Sequence, residues 1–97
     1  MKTIIVLVGL VELTFNVAID DYNQLINEQM PNDKVSPTYN FLSRTVADKS
    51  RDEFKKLVVD DNVPNGIAVM QIAGVITDEM GGALAVSVKK QKTTPRQ

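Results

Sequence analysis

Three pairs of adjacent carboxylates are the side chains that we consider for acid–base chemistry in this sequence. The pairs are Asp20-Asp21, Asp60-Asp61 and Asp78-Glu79. Each pair lies at the end of a predicted helix or in a loop, where carboxylates cap helices or remain solvated. We therefore predict no catalytic role for any of them.

Other kinds of reactive site lack their usual residues. The chain has no Cys and no His, which excludes thiolate nucleophiles, disulfides, zinc sites with the usual ligands and imidazole catalysis. It has no calcium-loop spacing and no glycine-rich phosphate loop, and Gly81-Gly82 is better interpreted as the end of a helix. We predict no catalytic, cofactor or metal site and no small-molecule substrate, which leaves a binding or structural role.

Charge is distributed unevenly along the chain. The formal net charge is −1, but the last nine residues contain four positive charges and no negative ones, which leaves a net charge of −5 on residues 1–88. A body of that sign disfavours nucleic-acid binding. For residues 89–97 we predict a flexible, solvated tail, with an electrostatic contact to a partner as the alternative. The basic residues of this tail are Lys89, Lys90, Lys92 and Arg96.

The first 17 residues predict a β-hairpin. Residues 4–8 are an unbroken apolar run, residues 11–17 alternate apolar with polar, and Gly9-Leu10 between them suits a type II′ turn. A cleaved signal peptide is the alternative, but Glu12 interrupts the apolar stretch and no small-residue cleavage pattern follows. The run is also short of the roughly 20 apolar residues that a membrane-spanning helix needs.

Helix signals follow in close succession. Asp20 is a predicted N-cap for a helix that stops at Pro31, and Ser36 is a predicted N-cap with Pro37 at the first helical position. Ser50-Arg51-Asp52-Glu53 matches the capping box, in which serine and glutamate each satisfy a free backbone group.

The C-terminal half predicts one more helix and a strand. Residues 67–80 carry a broad apolar face, typical of a helix that lies across a sheet, and residues 83–88 alternate as a third strand. The interior methionines of the chain are predicted to fill gaps in the core; they are Met30, Met70 and Met80. The predicted fold is α+β, in which the N-terminal hairpin and a C-terminal strand form a small antiparallel sheet packed by about four short helices. Residues 1–88 are predicted to form a single domain.

The first strand suggests an association surface, because it is apolar on both faces. Ile5 and Leu7 point to one face, and a single layer of helices can cover only one. The face that we expect to remain uncovered, and to bind a partner or a second copy, carries Ile4, Val6 and Val8. Phe41 lies off the apolar stripe of its helix; we favour a wedge beneath a neighbouring helix over exposure to a partner.

Residues 15–46 resemble a family of small tail assembly chaperones of tailed phages and prophages. The resemblance rests on four motifs: FNV at residues 15–17, DYN at 21–23, INEQMPNDKV at 26–35 and NFLSRTV at 40–46. It extends more loosely to residues 71–74 and so covers most of the chain.

The resemblance implies a non-catalytic protein of phage morphogenesis in the host cytoplasm. Such proteins bind the long, aggregation-prone tape measure protein, keep it soluble, help to recruit tail tube subunits and are absent from the finished tail. Multiple weak contacts from many copies of a small acidic chaperone would hold such a client, and self-association is also expected. The alternatives are a structural subunit that stays in the particle, a generic small protein-interaction domain, or a small secreted domain.

Overall fold

In the computed structural model, which describes residues 1–82 and 86–89, a β-hairpin is followed by four α-helices, with a second, smaller hairpin between the third and the fourth. The predicted α+β class is confirmed. The elements are β1 (Lys2–Val8), β2 (Val11–Val17), α1 (Ile19–Glu28), α2 (Val35–Thr45), a 3₁₀ turn (Asp48–Ser50), α3 (Arg51–Val58), β3 (Val59–Asp60), β4 (Val63–Pro64) and α4 (Gly66–Gly81).

The first hairpin forms as predicted. β1 and β2 pair antiparallel, with Val8 opposite Val11, so that Gly9-Leu10 is a two-residue turn. Gly9 has a φ of +62°, whereas Leu10 does not have a positive φ. This combination is that of a type II′ turn, because a type I′ turn needs a positive φ at both positions.

The covered face of β1 is the reverse of the one predicted. Ile4 and Val6 are each only 4% exposed, whereas Ile5 is 57% and Leu7 is 66% exposed. The register gives the reason: Val6 lies opposite Leu13 and Ile4 opposite Phe15, and cross-strand partners share a face of the sheet. The apolar side chains of β2 therefore place Ile4, Val6 and Val8 on the face that the helices cover. The predicted association surface at these three residues is corrected accordingly.

Aromatic side chains join the hairpin to the helices. Phe15 meets Phe54 edge to face at 6.0 Å between ring centroids, and Tyr39 stacks on the same Phe54 ring at 5.9 Å. Phe41 is fully buried, as the predicted wedge requires, so its side chain is not exposed for a partner. The core is completed by aliphatic residues of the hairpin and of all four helices.

The first two helices begin differently from prediction. The N-cap of α1 is Ala18 and not Asp20, and the carboxylate of Asp21 accepts the backbone N–H of Ala18 at 3.0 Å. α1 ends at Glu28, and Met30 and Asp33 then exchange two backbone hydrogen bonds of 3.2 Å across the intervening Pro-Asn turn. α2 begins at Val35, so the N-cap predicted at the following serine lies inside the helix.

Ser50 precedes α3, but the predicted capping box does not form. Its side chain makes no cap hydrogen bond; instead, its hydroxyl accepts the backbone N–H of Thr14 at 2.9 Å. The N–H of Ala47 in turn donates to the carbonyl of Thr14 at 2.8 Å. A buried serine therefore joins the outer edge of β2 to the start of α3.

α4 packs against the hairpin and runs antiparallel to β1. Asn65 caps it, since its Oδ1 accepts the N–H groups of Ile67 and Ala68 at 3.0 and 3.2 Å. At the other end, the Lys2 ammonium donates to the carbonyl of Glu79 at 2.8 Å. The C-terminal end of α4 is thus fixed beside the start of β1.

The fold contains a second small sheet, which was not predicted. It is formed by β3 and β4, around a turn in which Asp61 and Asn62 both have positive φ. The strand predicted over residues 83–88 falls partly outside the described residues, and its described part, 86–88, has no regular structure. Val86 and Val88 are each 86% exposed, because no strand of the described fold pairs with them there.

Candidate functional site

The carboxylate pairs occupy three separate places in the fold. Asp20 and Asp21 lie in the first turn of α1, Asp60-Asp61 in the second hairpin, and Asp78-Glu79 near the end of α4. Among residues 1–82 and 86–89, no group of three or more potential metal ligands comes together. In that same part of the chain, no helix combines the length and the apolar character needed to cross a bilayer.

An apolar groove lies between α1 and α4, both of which pack against α2. Two depressions form it, of about 300 and 260 Å³, and they share Tyr22 and Thr77. The apolar part of its lining comes from α1 and α4: Ile19, Tyr22, Leu25, Ile26, Met70, Ala73 and Met80. Gly74, Gly81 and the polar residues Asn23, Gln29, Thr38, Thr77 and Asp78 complete it.

The floor of the groove is open at Gly74. A methyl group added at this glycine would meet no atom within 4 Å. Larger apolar side chains stand on either side, and Ile26 and Met70 are exposed to 53% and 44%. Small residues beneath an open surface, with larger apolar residues along its walls, let another backbone approach closely.

The two helices that flank the groove are acidic. α1 and α4 together carry five carboxylates and no lysine or arginine. Arg44 of α2 approaches two of them, Asp21 at 4.0 Å and Glu28 at 3.8 Å, and Lys2 approaches Glu79 at 3.7 Å. In the described part of the chain, Asp20 and Asp78 form no ion pair, and Asp78 of α4 is the carboxylate that lines the groove.

A second exposed feature is the outer edge of β1. Thr14 directs its N–H and C=O away from β1, towards Ser50 and Ala47, so the opposite residue, Ile5, directs its own groups away from β2. By the same alternation, Thr3 and Leu7 do so as well. Within residues 1–82 and 86–89, none of these three makes a backbone hydrogen bond on that side.

The groove and the outer edge of β1 are not the binding surface that was predicted from the sequence. Ile4, Val6 and Phe41 are in the core and Val8 is half-buried, so they do not form an exposed surface. Met30 and Met70, predicted to fill the core, are exposed, and Met80 is partly buried against it. One sequence signal for the groove existed: Ile19, Tyr22 and Ile26 recur at i, i+3 and i+7, in addition to the buried Leu25.

Comparison with known proteins gives the family. No curated protein and no solved structure matches this chain. The family model described as phage tail assembly chaperone matches residues 4–90, which run from within β1 past the end of α4. The chain therefore belongs to the phage tail assembly chaperone family.

Proposed function

We propose that this protein binds the tape measure protein of a phage tail and keeps it soluble until the tail is assembled. The observation that carries the proposal is the apolar groove between α1 and α4, on a chain of the tail assembly chaperone family. A client with long apolar helical segments aggregates through those segments. A chaperone must therefore cover them reversibly.

The groove suits an amphipathic client helix. Its walls present apolar residues at helical spacing from two sides, and its floor is small at Ala73 and Gly74. A helix that lies in such a groove inserts residues at i, i+3, i+4 and i+7 between the walls. We place Ile26 of α1 and Met70 of α4 in direct contact with the client.

Charge selects among client helices. Because both flanking helices carry carboxylates and no basic residue, and Asp78 lines the groove itself, the groove favours an apolar stripe flanked by Lys or Arg over one flanked by Asp or Glu. Rim charges of this kind mainly raise the association rate, and salt screens them over about 10 Å at 0.1 M. Binding should therefore weaken with added salt without being abolished.

The chaperone acts without catalysis, in the cytoplasm of the host cell. Each groove covers only a short length of helix, so many copies along one client would hold it through contacts that are individually weak. Tail tube subunits are a second partner in this proposal. Once tail tube subunits cover the client, the chaperone is released and is absent from the mature particle.

Co-expression with the cognate tape measure protein tests the proposal. We expect the client to move from the insoluble to the soluble fraction and to co-purify with the chaperone, while mass spectrometry of purified particles finds no chaperone. Abundant protein in the particles would favour the structural-subunit alternative. A client that stays insoluble and does not co-purify would reduce the assignment to a generic interaction domain.

A further inference from the structure

The exposed edge of β1 can accept another strand. Thr3, Ile5 and Leu7 direct their backbone N–H and C=O groups outward, and the side chains of Ile5 and Leu7 are exposed beside them. The opposite edge of the sheet, at Thr14, is already bonded to Ser50 and Ala47. A two-stranded hairpin with one occupied edge therefore offers a single place for strand addition.

The same chain contains a segment with strand character that has no strand partner in the described fold. Val86, Ser87 and Val88 lie outside any regular element, and both valines are 86% exposed. In the sequence, the alternation of apolar and small residues extends back to Leu84. β-Branched residues at period two favour a strand wherever an edge is available.

We propose that residues 86–88 of one copy add as a strand to the β1 edge of a second copy. In the chain's own fold this segment is exposed, which leaves the edge available to another molecule. Charge supports a second copy as the donor: Lys89 and three further basic residues follow the segment, whereas residues 1–88 carry a net charge of −5. The proposal uses a surface distinct from the groove and does not depend on the client.

The geometry limits the kinds of assembly. Donor and acceptor are different surfaces of one chain, so two copies can exchange segments reciprocally in a two-fold dimer, or the contact can continue from copy to copy into rings or open chains. The average mass of the wild-type protein should therefore increase with concentration above that of a monomer.

Cysteine cross-linking tests the pairing directly, because the chain contains no Cys. Two separately purified variants, Ile5→Cys and Val86→Cys, are mixed and mildly oxidised. We expect disulfide-linked heterodimers of the two variants. Leu10→Cys mixed with Val86→Cys is the control, since Leu10 is exposed in the hairpin turn, off the edge, and should cross-link little.

Each other outcome would overturn the proposal. If Ile5→Cys linked mainly to itself, two β1 edges would pair with each other. If a dilute solution of the Ile5→Cys/Val86→Cys double variant formed an intramolecular disulfide, the segment would pair with the β1 edge of its own chain. If no link formed above the Leu10→Cys control, the edge would have no strand partner.

Light scattering across a concentration series supplies a second test. Leu7→Lys places a charge on the edge and should leave a folded monomer, whereas Leu10→Lys, with the same change in charge, should associate like the wild type. Val86→Pro removes a backbone donor from the donor strand and should also give a monomer. Wild-type association in both Leu7→Lys and Val86→Pro would overturn the proposal, as would a wild-type protein that stays monomeric.

Discussion

Ser50 shows how a single hydroxyl can connect two parts of a fold. It is buried, and its oxygen accepts the N–H of Thr14 from the middle of β2. Without that oxygen, the N–H of Thr14 would be left in the interior with no acceptor. An unsatisfied buried donor costs about 1–3 kcal/mol.

We therefore expect Ser50→Ala to lower the free energy of unfolding by about 1–2 kcal/mol, as measured by urea denaturation. Ser43→Ala is the matched control, because the hydroxyl of Ser43 is buried and has no hydrogen-bond partner within the described residues. Its removal should leave stability unchanged or raise it slightly. Equal losses in the two variants would contradict the role assigned to Ser50.

Individual residues also show where sequence patterns succeed and fail. The turn at Gly9-Leu10 was predictable because its geometry depends on those two residues alone. The role of Ser50 was not predictable. Its sequence motif fits a helix start, whereas its hydroxyl bonds to a strand residue 36 positions away in sequence. A side chain with two possible partners takes the one that the tertiary structure brings to it.

At the scale of elements, two glycines should respond oppositely to the same change. Gly9→Ala places a side chain at φ +62° and should cost about 1–2 kcal/mol. Gly74→Ala adds a methyl to open space within α4 and should stabilise by about 0.5–1 kcal/mol. Thermal denaturation of both variants checks the signs, and a destabilised Gly74→Ala would mean that the floor of the groove is filled.

The two faces of β1 provide a second element-scale prediction. Val6→Lys puts an unpaired ammonium into the core and should largely unfold the protein, since a buried unpaired charge costs several kcal/mol. Ile5→Lys, one residue away on the exposed face, should remain folded. Circular dichroism of the two variants decides which face is covered; a folded Val6→Lys beside an unfolded Ile5→Lys would reverse our assignment.

The sequence contained enough information to make that assignment. β2 alternates clearly, with Leu13 and Phe15 apolar and Glu12 polar, and a two-residue turn fixes which residues of β1 lie opposite them. The C-terminal strand, by contrast, could not be judged from its alternation. Alternation marks which residues can form a strand, but only a free edge in the assembled sheet determines whether a strand forms.

At the scale of the whole molecule, the surfaces depend on how the helices pack. The apolar spacing of α1 and α4 indicated two amphipathic helices, but not that α2 would hold them side by side with a gap between them. Met70 was therefore expected in the core and lies instead, with Ile26, along an open groove. Apolar residues that the helical pattern assigns to the core can therefore form an exposed candidate binding surface in the fold.

The central claim is that this groove holds the client. Met70 and Val75 lie on the same helix, with exposures of 44% and 48%, but only Met70 lines the groove. Either residue can be changed to lysine without burying a charge in the core, so both variants should fold.

The most direct measurement is the soluble fraction of the tape measure protein when it is co-expressed with wild-type chaperone, Met70→Lys or Val75→Lys. We predict that Val75→Lys keeps the client as soluble as the wild type does, whereas Met70→Lys loses most of that effect while remaining folded itself. Equal client solubility with Met70→Lys and Val75→Lys would contradict the groove as the client-binding surface.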